Sequence, residues 1–94
     1  MHSAEILVTN SVGLHARPAA MFVKLANRFS ASITLKNLTT DSEWINAKSM
    51  LSLLTAGVSQ GHRIAIRAEG QDETKAVEAL IELIRSDFAQ EITA

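Results

Sequence analysis

Two side chains suited to phosphoryl chemistry lie two positions apart in the segment GLHARPAA (13–20). An unprotonated ring nitrogen of His15 is a nucleophile that can accept a phosphoryl group and hold it. Arg17 carries a guanidinium, whose planar fork of N–H donors matches a phosphate. Nothing in the sequence supplies a second catalytic group. The pair therefore predicts a site that carries a phosphoryl group rather than one that selects its own chemistry.

The residues around the pair predict that it lies at the start of a helix. Gly13 allows backbone angles that other residues disfavour, and Pro18 suits a first helical turn, where a missing N–H costs nothing. The first N–H groups of such a helix, those of Ala16 and Arg17, have no partner within it and favour an anion together with the helix dipole. We therefore expect a phosphate cradle built from this backbone and the Arg17 side chain.

A histidine at a helix start also has a plainer interpretation, as a cap or a surface residue, and spacing alone does not exclude it. The other two histidines, His2 and His62, fall near the N-terminus and at the edge of a strand. The three show no metal-ligand spacing, and no acidic cluster accompanies them. We expect neither a metal site nor a cofactor.

Four segments that must position this site alternate apolar and polar residues, the pattern of strands with one buried face. They are AEILVT (4–9), SITLKN (32–37), the short EWIN (43–46) and HRIAIRAEG (62–70). Because each strand has a single apolar face, we expect an antiparallel sheet with helices on one side and solvent on the other.

Three further segments have helical patterns. Apolar residues follow a period of 3.6 over 18–29 and again from 72 to about 88. Between them, KSMLSLLTAG predicts a short helix with Ser49 as its N-cap and Gly57 past its end. The order βαββαβα predicts an α+β fold, an open-faced sandwich in which three helices cover one face of a four-stranded antiparallel sheet. We expect one domain over residues 1–94.

The composition restricts the class of protein. The chain has 94 residues, 47% of them hydrophobic, with a net charge of −1 and no cysteine. This balance suits a folded protein and gives no reason to expect nucleic acid as a partner. Without cysteine, disulfide and thiolate chemistry are excluded. The sequence shows neither a signal peptide nor an apolar run of membrane-spanning length. We expect a cytoplasmic monomer that does not insert into membranes.

Beyond these patterns, GLHARPAA resembles the active-site signature of the HPr family, the histidine-containing phosphocarriers of the bacterial phosphoenolpyruvate-dependent sugar phosphotransferase system. INAKSMLSLLTAGV resembles the regulatory segment of that family, and AEGQDETKAVEAL resembles the turn into its last helix. The resemblance spans about the whole chain, in the same βαββαβα order. It implies a phosphocarrier with a covalent phosphohistidine rather than a stand-alone catalyst.

The resemblance also implies roles for three residues. His15 matches the histidine that enzyme I phosphorylates and that passes its phosphoryl group to sugar-specific enzyme IIA proteins, and Arg17 matches the arginine that contacts this group. Ser49 matches the serine that HPr kinase/phosphorylase modifies in many Gram-positive members, where the modified protein joins catabolite control protein A. A serine is also the default N-cap, so a purely structural role for Ser49 stays open.

A carrier shared among enzymes needs an exposed docking surface. We expect six residues of the first two helices and their approaches to supply apolar and basic area: Ala20, Met21, Lys24, Lys48, Met50 and Leu51. Methionine adapts to several partner shapes, and such a patch suits transient binding to acidic partners. At least one of Met50 and Leu51 should be exposed.

Two departures from the family pattern affect these expectations. Val12 occupies a position that is often small and polar near the phosphohistidine, and Asn10 or Ser11 is a candidate substitute. Ser52 occupies a position that is commonly glycine in Gram-positive members, which weakens the match to the serine kinase.

Other members of the fold remain alternatives: nitrogen-related carriers, relays of dihydroxyacetone kinase, and catabolite-repression homologues that bind partners but lack the active-site histidine. The presence of His15 and of the segment NAKS (46–49) favours the sugar system.

Overall fold

The computed structural model describes residues 1–89. Its elements, in chain order, are β1 (His2–Leu7), α1 (Ala16–Ala26), β2 (Ser32–Asn37), β3 (Ile45–Asn46), α2 (Met50–Thr55), β4 (Arg63–Glu69) and α3 (Glu73–Arg85). This is the βαββαβα order that the periodicity predicts, and the α+β fold class is confirmed.

The four strands form one antiparallel sheet in the order β1-β4-β2-β3. β4 is paired along its length, with β1 on one side and β2 on the other. β3 adds a two-residue edge, in which Ile45 lies opposite Leu35. The long connection between β1 and β2 contains α1, so the start of this helix lies just beyond the end of an edge strand.

The apolar faces of the strands and helices meet in one core on one side of the sheet. In β2, Ile33, Leu35 and Asn37 are buried, whereas Thr34 and Lys36 between them are partly exposed. The largest fully buried side chains come from strands, helices and loops alike: Phe22, Leu14, Ile33, Leu35, Leu53, Ile64, Ile66, Leu80 and Leu83. The opposite face carries Glu5 and Arg63 into solvent.

α1 differs from its predicted range at both ends. It begins at Ala16, before the proline, and ends at Ala26, because the backbone tightens beyond it. The N–H groups of Arg28 and Phe29 donate to carbonyls three residues earlier, a 3₁₀-type turn. Phe29 is therefore half-buried in a turn rather than in the helix.

None of the helices within residues 1–89 has the length and apolarity needed to cross a membrane.

Candidate functional site

His15 is the residue immediately before α1, in the N-cap position and with an extended backbone (φ −123°, ψ 162°). Its side chain is half-buried and makes no capping hydrogen bond to the helix. A histidine that served as a cap would use a ring nitrogen as acceptor for a backbone N–H. The structure therefore excludes the cap interpretation of His15.

The backbone after His15 supplies unpaired donors. Ala16 and Arg17 are the first two residues of α1, and both are exposed. The first helical bond back to His15 comes from the N–H of Ala19, whose nitrogen lies 3.5 Å from the His15 carbonyl oxygen. The N–H groups of Ala16 and Arg17 thus precede the first intrahelical bond. They lie where the phosphate cradle is predicted, and binding of phosphate there stays a prediction.

Ala16 has a backbone conformation that is rare for a residue with a Cβ, with φ at +50°. It connects the extended His15 to the right-handed helix. A left-handed angle at a non-glycine residue costs of the order of 1–2 kcal/mol and persists only where the surroundings hold it. The loop before His15 must therefore be well anchored.

The anchors lie on both sides of that loop. The N–H of Gly13 donates to the carbonyl of Asn10 (3.1 Å), and Asn10 Nδ2 donates to the carbonyl of Gly13 (2.8 Å). The N–H of Leu14 donates to the carbonyl of Val58 (3.0 Å), while the Leu14 side chain enters the core. His15 therefore follows a closed turn and a residue that is fixed by both its backbone and its side chain.

Gly13 is required for space as well as for conformation. Its φ is +66°, as the turn predicts, and a Cβ on it would meet the carbonyl oxygen of Val58 and lie 2.7 Å from Cα of Ser59. Both neighbours are backbone atoms and cannot rotate away. The loop that precedes β4 therefore lies directly against the loop that carries His15. The sequence could not predict this contact, because the two loops are more than 40 residues apart.

The pattern of the resembled family often has a small polar residue at position 12, near the phosphohistidine. In this chain the polar residue that supports the loop is Asn10. Val12 is exposed, and so is Ser11. Asn10 closes the turn through Nδ2, and its Oδ1 is buried without a hydrogen-bond partner. Of the two candidates, the structure thus favours Asn10 as the structural substitute.

Arg17 lies in the first turn of α1 with an exposed side chain. It takes part in none of the three ion pairs found among residues 1–89, which involve Glu73, Asp41 and Glu82 as the acidic partners. Its guanidinium is therefore not held by a carboxylate of the described residues.

Ser49 is the N-cap of α2, as predicted. Its Oγ accepts a hydrogen bond from the N–H of Ser52 (3.2 Å). Asn27, the C-cap of α1, donates through Nδ2 to the carbonyl of Lys48 (3.0 Å), so the start of α2 lies beside the end of α1. His15 lies at the other end of α1. An 11-residue helix is about 16 Å long, so Ser49 and His15 are not in contact.

Exposed apolar area is present on the helices, as expected. Leu51 is 81% exposed and Leu54, which the sequence did not single out, is 38% exposed. On α1, Ala20 and Lys24 are exposed on adjacent turns. The two leucines are three residues apart, which places both on one side of α2. In a helix this short, the spacing is too brief a pattern to be recognised from the sequence.

Three of the predicted docking residues are placed differently. Met21 is only 9% exposed and belongs to the core, because α1 packs against both α2 and α3 and so has a wider buried face than the predicted stripe. Met50 is half-buried against the same core. Lys48 is half-buried, and its Nζ donates to the carbonyl of Phe29 (2.6 Å), which directs its charge to the end of α1.

Fold and site together define a small α+β domain in which a half-buried histidine lies at a helix start without capping the helix. A family model for the phosphorylation site of the HPr component of the phosphotransferase system matches residues 2–86. The chain therefore belongs to the HPr family.

Individual relatives agree with this assignment. The chain is 44% identical over 84 residues to the phosphocarrier protein HPr of Haemophilus influenzae, covering 89% of this chain and 95% of that protein. A crystal structure of HPr from Thermoanaerobacter tengcongensis has 43% identity and a TM-score of 0.90, covering 98% of this chain and 100% of that one.

Longer proteins match as well. The multiphosphoryl transfer protein of Haemophilus influenzae is 40% identical over 87 residues, which make up 93% of this chain and 17% of that protein. The corresponding protein of Vibrio cholerae is 42% identical over 79 residues, 84% of this chain and 20% of that protein. The chain thus spans about a fifth of the length of these relatives.

Proposed function

We propose that His15 accepts a phosphoryl group from enzyme I and passes it to enzyme IIA proteins. One observation carries this proposal: the His15 side chain makes no capping hydrogen bond, and the N–H groups of Ala16 and Arg17, which follow it, are unpaired. Family membership over residues 2–86 supports the same assignment.

The transfer needs little from this domain beyond positioning. The lone pair of a His15 ring nitrogen attacks the phosphorus, and the bond between the phosphorus and the donor nitrogen of enzyme I breaks as the new P–N bond forms. The transferred group carries negative charge on its oxygens throughout. In this proposal the N–H groups of Ala16 and Arg17 and the Arg17 guanidinium bind these oxygens. A second transfer of the same kind, in which the P–N bond to His15 breaks as a bond to enzyme IIA forms, delivers the group to enzyme IIA.

We define the docking surface by the residues that are exposed near the site and along the helices: Arg17, Ala20, Lys24, Leu51 and Leu54. It combines two positive charges with two exposed leucines and contains no acidic side chain. Such a surface matches partners with apolar patches bordered by carboxylates, and it suits weak binding followed by release.

Regulation through Ser49 is a further proposal, with HPr kinase/phosphorylase and catabolite control protein A as its partners. Ser49 lies next to the docking surface, one residue before α2. Since it is about one helix length from His15, a phosphate on Ser49 acts by changing the surface that enzyme I contacts rather than the imidazole itself. We also propose that the protein is a monomer in the cytoplasm, in contrast to the HPr dimer from Thermoanaerobacter tengcongensis.

The matched longer proteins favour a second candidate. In it, this sequence serves as the HPr-like segment of a multiphosphoryl transfer protein, as in Haemophilus influenzae and Vibrio cholerae. The chemistry of His15 is then the same, but its phosphoryl donor and acceptor are parts of the same polypeptide chain.

The deciding experiment is incubation of the protein with phosphoenolpyruvate and a catalytic amount of enzyme I, followed by intact mass measurement. We expect a gain of one phosphoryl group that is lost on acid treatment, as for phosphohistidine. The His15→Ala variant loses a half-buried side chain that makes no capping hydrogen bond, so it should keep its melting temperature and gain no phosphoryl group. Labelling of His15→Ala would show that the acceptor lies elsewhere.

A further inference from the structure

A second histidine, His62, lies against a buried side-chain amide, that of Asn37. Asn37, the last residue of β2, is 0% exposed. Its Nδ2 donates to the carbonyl of Ala56 (3.0 Å), and its Oδ1 accepts from the N–H groups of Thr39 (3.1 Å) and Thr40 (3.3 Å). A flipped amide would oppose donors to donors and the oxygen to a carbonyl. The backbone therefore fixes the amide orientation.

This orientation determines the state of His62. The remaining N–H of Asn37 Nδ2 faces His62 Nδ1 at 3.0 Å, and the N–H of Ser59 donates to the same nitrogen at 3.1 Å. With two donors directed at it, Nδ1 must present its lone pair, so the ring proton is on Nε2. A proton on Nδ1 would break both bonds.

His62 in turn shapes the loop before β4. Its N–H donates to the carbonyl of Ser59 (3.1 Å), so backbone and ring together close the turn 59–62 from both sides. The N–H of Gly61 donates to the carbonyl of Val8 (2.7 Å), and the N–H of Val8 donates to the carbonyl of His62 (2.8 Å). The turn is thus attached to the chain that leads out of β1 towards His15.

The His15 loop packs against the start of this turn, at Val58 and Ser59. The carbonyl of Val58 accepts the N–H of Leu14, the residue before His15. Gly13 approaches the backbone of Val58 and Ser59 so closely that even a Cβ does not fit. Any shift of Ser59 therefore moves the surface on which Gly13 and Leu14 lie.

We propose that Asn37 and His62 form a positioning pair for the phosphoryl-accepting histidine: the Nε2–H form of His62 holds Ser59, and Ser59 with Val58 holds the loop that presents His15. The inference rests on the proposed transfer to His15. It assigns to a loop more than 40 residues away in sequence the task of setting the angle at which the imidazole meets its donor. His62 itself does not touch the transferred group.

Two variants of the same shape test the proposal. In His62→Asn the side-chain Oδ1 takes the place of Nδ1 and can accept from Ser59 and Asn37, whereas His62→Leu has the same branching at Cγ and no acceptor. We expect the leucine variant to lower kcat for acceptance from enzyme I by about tenfold through misplacement of His15. KM should stay unchanged, because the docking surface is elsewhere. The asparagine variant should restore most of kcat.

Amide hydrogen exchange provides a second measurement that does not depend on activity. The leucine variant should exchange faster than wild type at Ser59 and at Leu14, with no change at Leu80 in α3. Equal kcat, or an unchanged Leu14 rate, in a folded leucine variant would overturn the proposal. A wild-type protein that takes no phosphate from enzyme I would instead refute the proposed function, while the exchange rates would still test the positioning.

The tautomer can be measured in the wild-type protein, which keeps the proposal testable if the leucine variant does not fold. Nitrogen-15 spectra of the imidazoles should show His62 with its proton on Nε2 and an unprotonated Nδ1 that accepts hydrogen bonds. A proton on Nδ1 of His62 at neutral pH would contradict the hydrogen bonds from Asn37 and Ser59 and with them the proposal.

Discussion

At the scale of single residues, the site depends on backbone conformation as much as on side chains. His15 has an extended backbone, but Gly13 and Ala16 on either side of it have φ of +66° and +50°. One of the two left-handed residues is a glycine without room for a Cβ, and the other carries a Cβ at a cost. The resulting loop leaves the N–H groups of Ala16 and Arg17 without intrahelical partners directly after His15, and its two left-handed residues determine the path of the backbone through His15.

The Gly13→Ala variant measures this dependence, with Gly57→Ala as its control. Both glycines have a positive φ, but nothing lies within 4 Å of a Cβ at Gly57. Gly57→Ala should cost only the conformational strain of about 1–2 kcal/mol. Gly13→Ala must in addition displace the backbone of Val58 and Ser59, so it should destabilise the protein more and slow phosphate acceptance. Chemical denaturation and transfer rates on both variants check this, and equal losses of stability would contradict it.

Arg17 should act on transfer and not on stability. Replacing Arg17 with alanine removes a charge-assisted contact to the phosphoryl oxygens, so acceptance from enzyme I should slow about 10- to 150-fold, equivalent to about 1.5–3 kcal/mol. Arg28→Ala is the matched control, because Arg28 is also exposed but lies beyond the other end of α1. A rate for Arg17→Ala equal to that of Arg28→Ala would remove Arg17 from the site.

At the scale of elements, hydrogen bonds between element ends determine how the helices sit on the sheet. Asp72, the residue before α3, accepts the N–H groups of Ser30 and Ala31 at 2.9 Å each and so joins α3 to the start of β2. The hydrogen bond from the Ser30 backbone, and to a lesser extent the one from Ala31, lowers the pKa of the Asp72 carboxyl below its ordinary value of 3.8. The junction thus has its full strength only when this carboxylate is ionised.

The pH dependence of stability follows from this direction. Since the pKa of Asp72 is lower in the folded protein, its contribution is present above pH 3.8 and is lost as the pH falls through the folded value. Asp72→Asn should therefore be less stable than wild type at neutral pH, and the difference should shrink in acid. Glu78→Gln, a change at an exposed carboxylate, is the control. A difference between Asp72→Asn and wild type that is independent of pH would contradict the assignment.

Ser49 tests the junction between α1 and α2. Serine and aspartate cap helices about equally well, whereas alanine costs about 1 kcal/mol. We therefore expect Ser49→Ala to lower the melting temperature and Ser49→Asp to preserve it. The added charge of Ser49→Asp lies beside the docking surface and should weaken binding to an acidic partner, so acceptance on His15 should slow.

The control for charge is Ser3→Asp, which adds the same charge on the opposite face of the sheet. If Ser49→Asp unfolds early, the hydroxyl is needed as a cap and the residue is chiefly structural. If it is stable and transfers as fast as Ser3→Asp, enzyme I does not contact this part of the surface.

At the scale of the whole molecule, the parts that the sequence predicted are those that depend on local pattern. Periodicity and turn chemistry were sufficient for the element order and the position of His15 before α1, and cap chemistry was sufficient for Ser49. The width of the buried face of α1 was not predictable, since it depends on α2 and α3 packing on both flanks, and so Met21 was misplaced. Contacts between distant loops, such as Gly13 with Ser59, leave no local trace in the sequence.

The whole molecule also has two exposed surfaces with different expected roles, and each carries an exposed leucine. Leu51 lies on the docking surface at 81% exposure, and Leu7 lies on the open face of the sheet at 44%. Replacing either with serine should change the free energy of unfolding by no more than about 0.5 kcal/mol, as is usual for exposed positions. Only the two surfaces differ between these variants, which makes them a matched pair for locating the partner.

We expect Leu51→Ser to raise KM for acceptance from enzyme I by about tenfold, as truncation of a central contact residue does, with kcat unchanged. Leu7→Ser should leave both constants as they are, because Leu7 lies outside the docking surface. Steady-state transfer at varied concentrations of each variant measures this directly. A raised KM for Leu7→Ser with none for Leu51→Ser would place enzyme I on the sheet. His15 would then have to be reached around the edge of β1, since α1 begins on the helical side of the molecule.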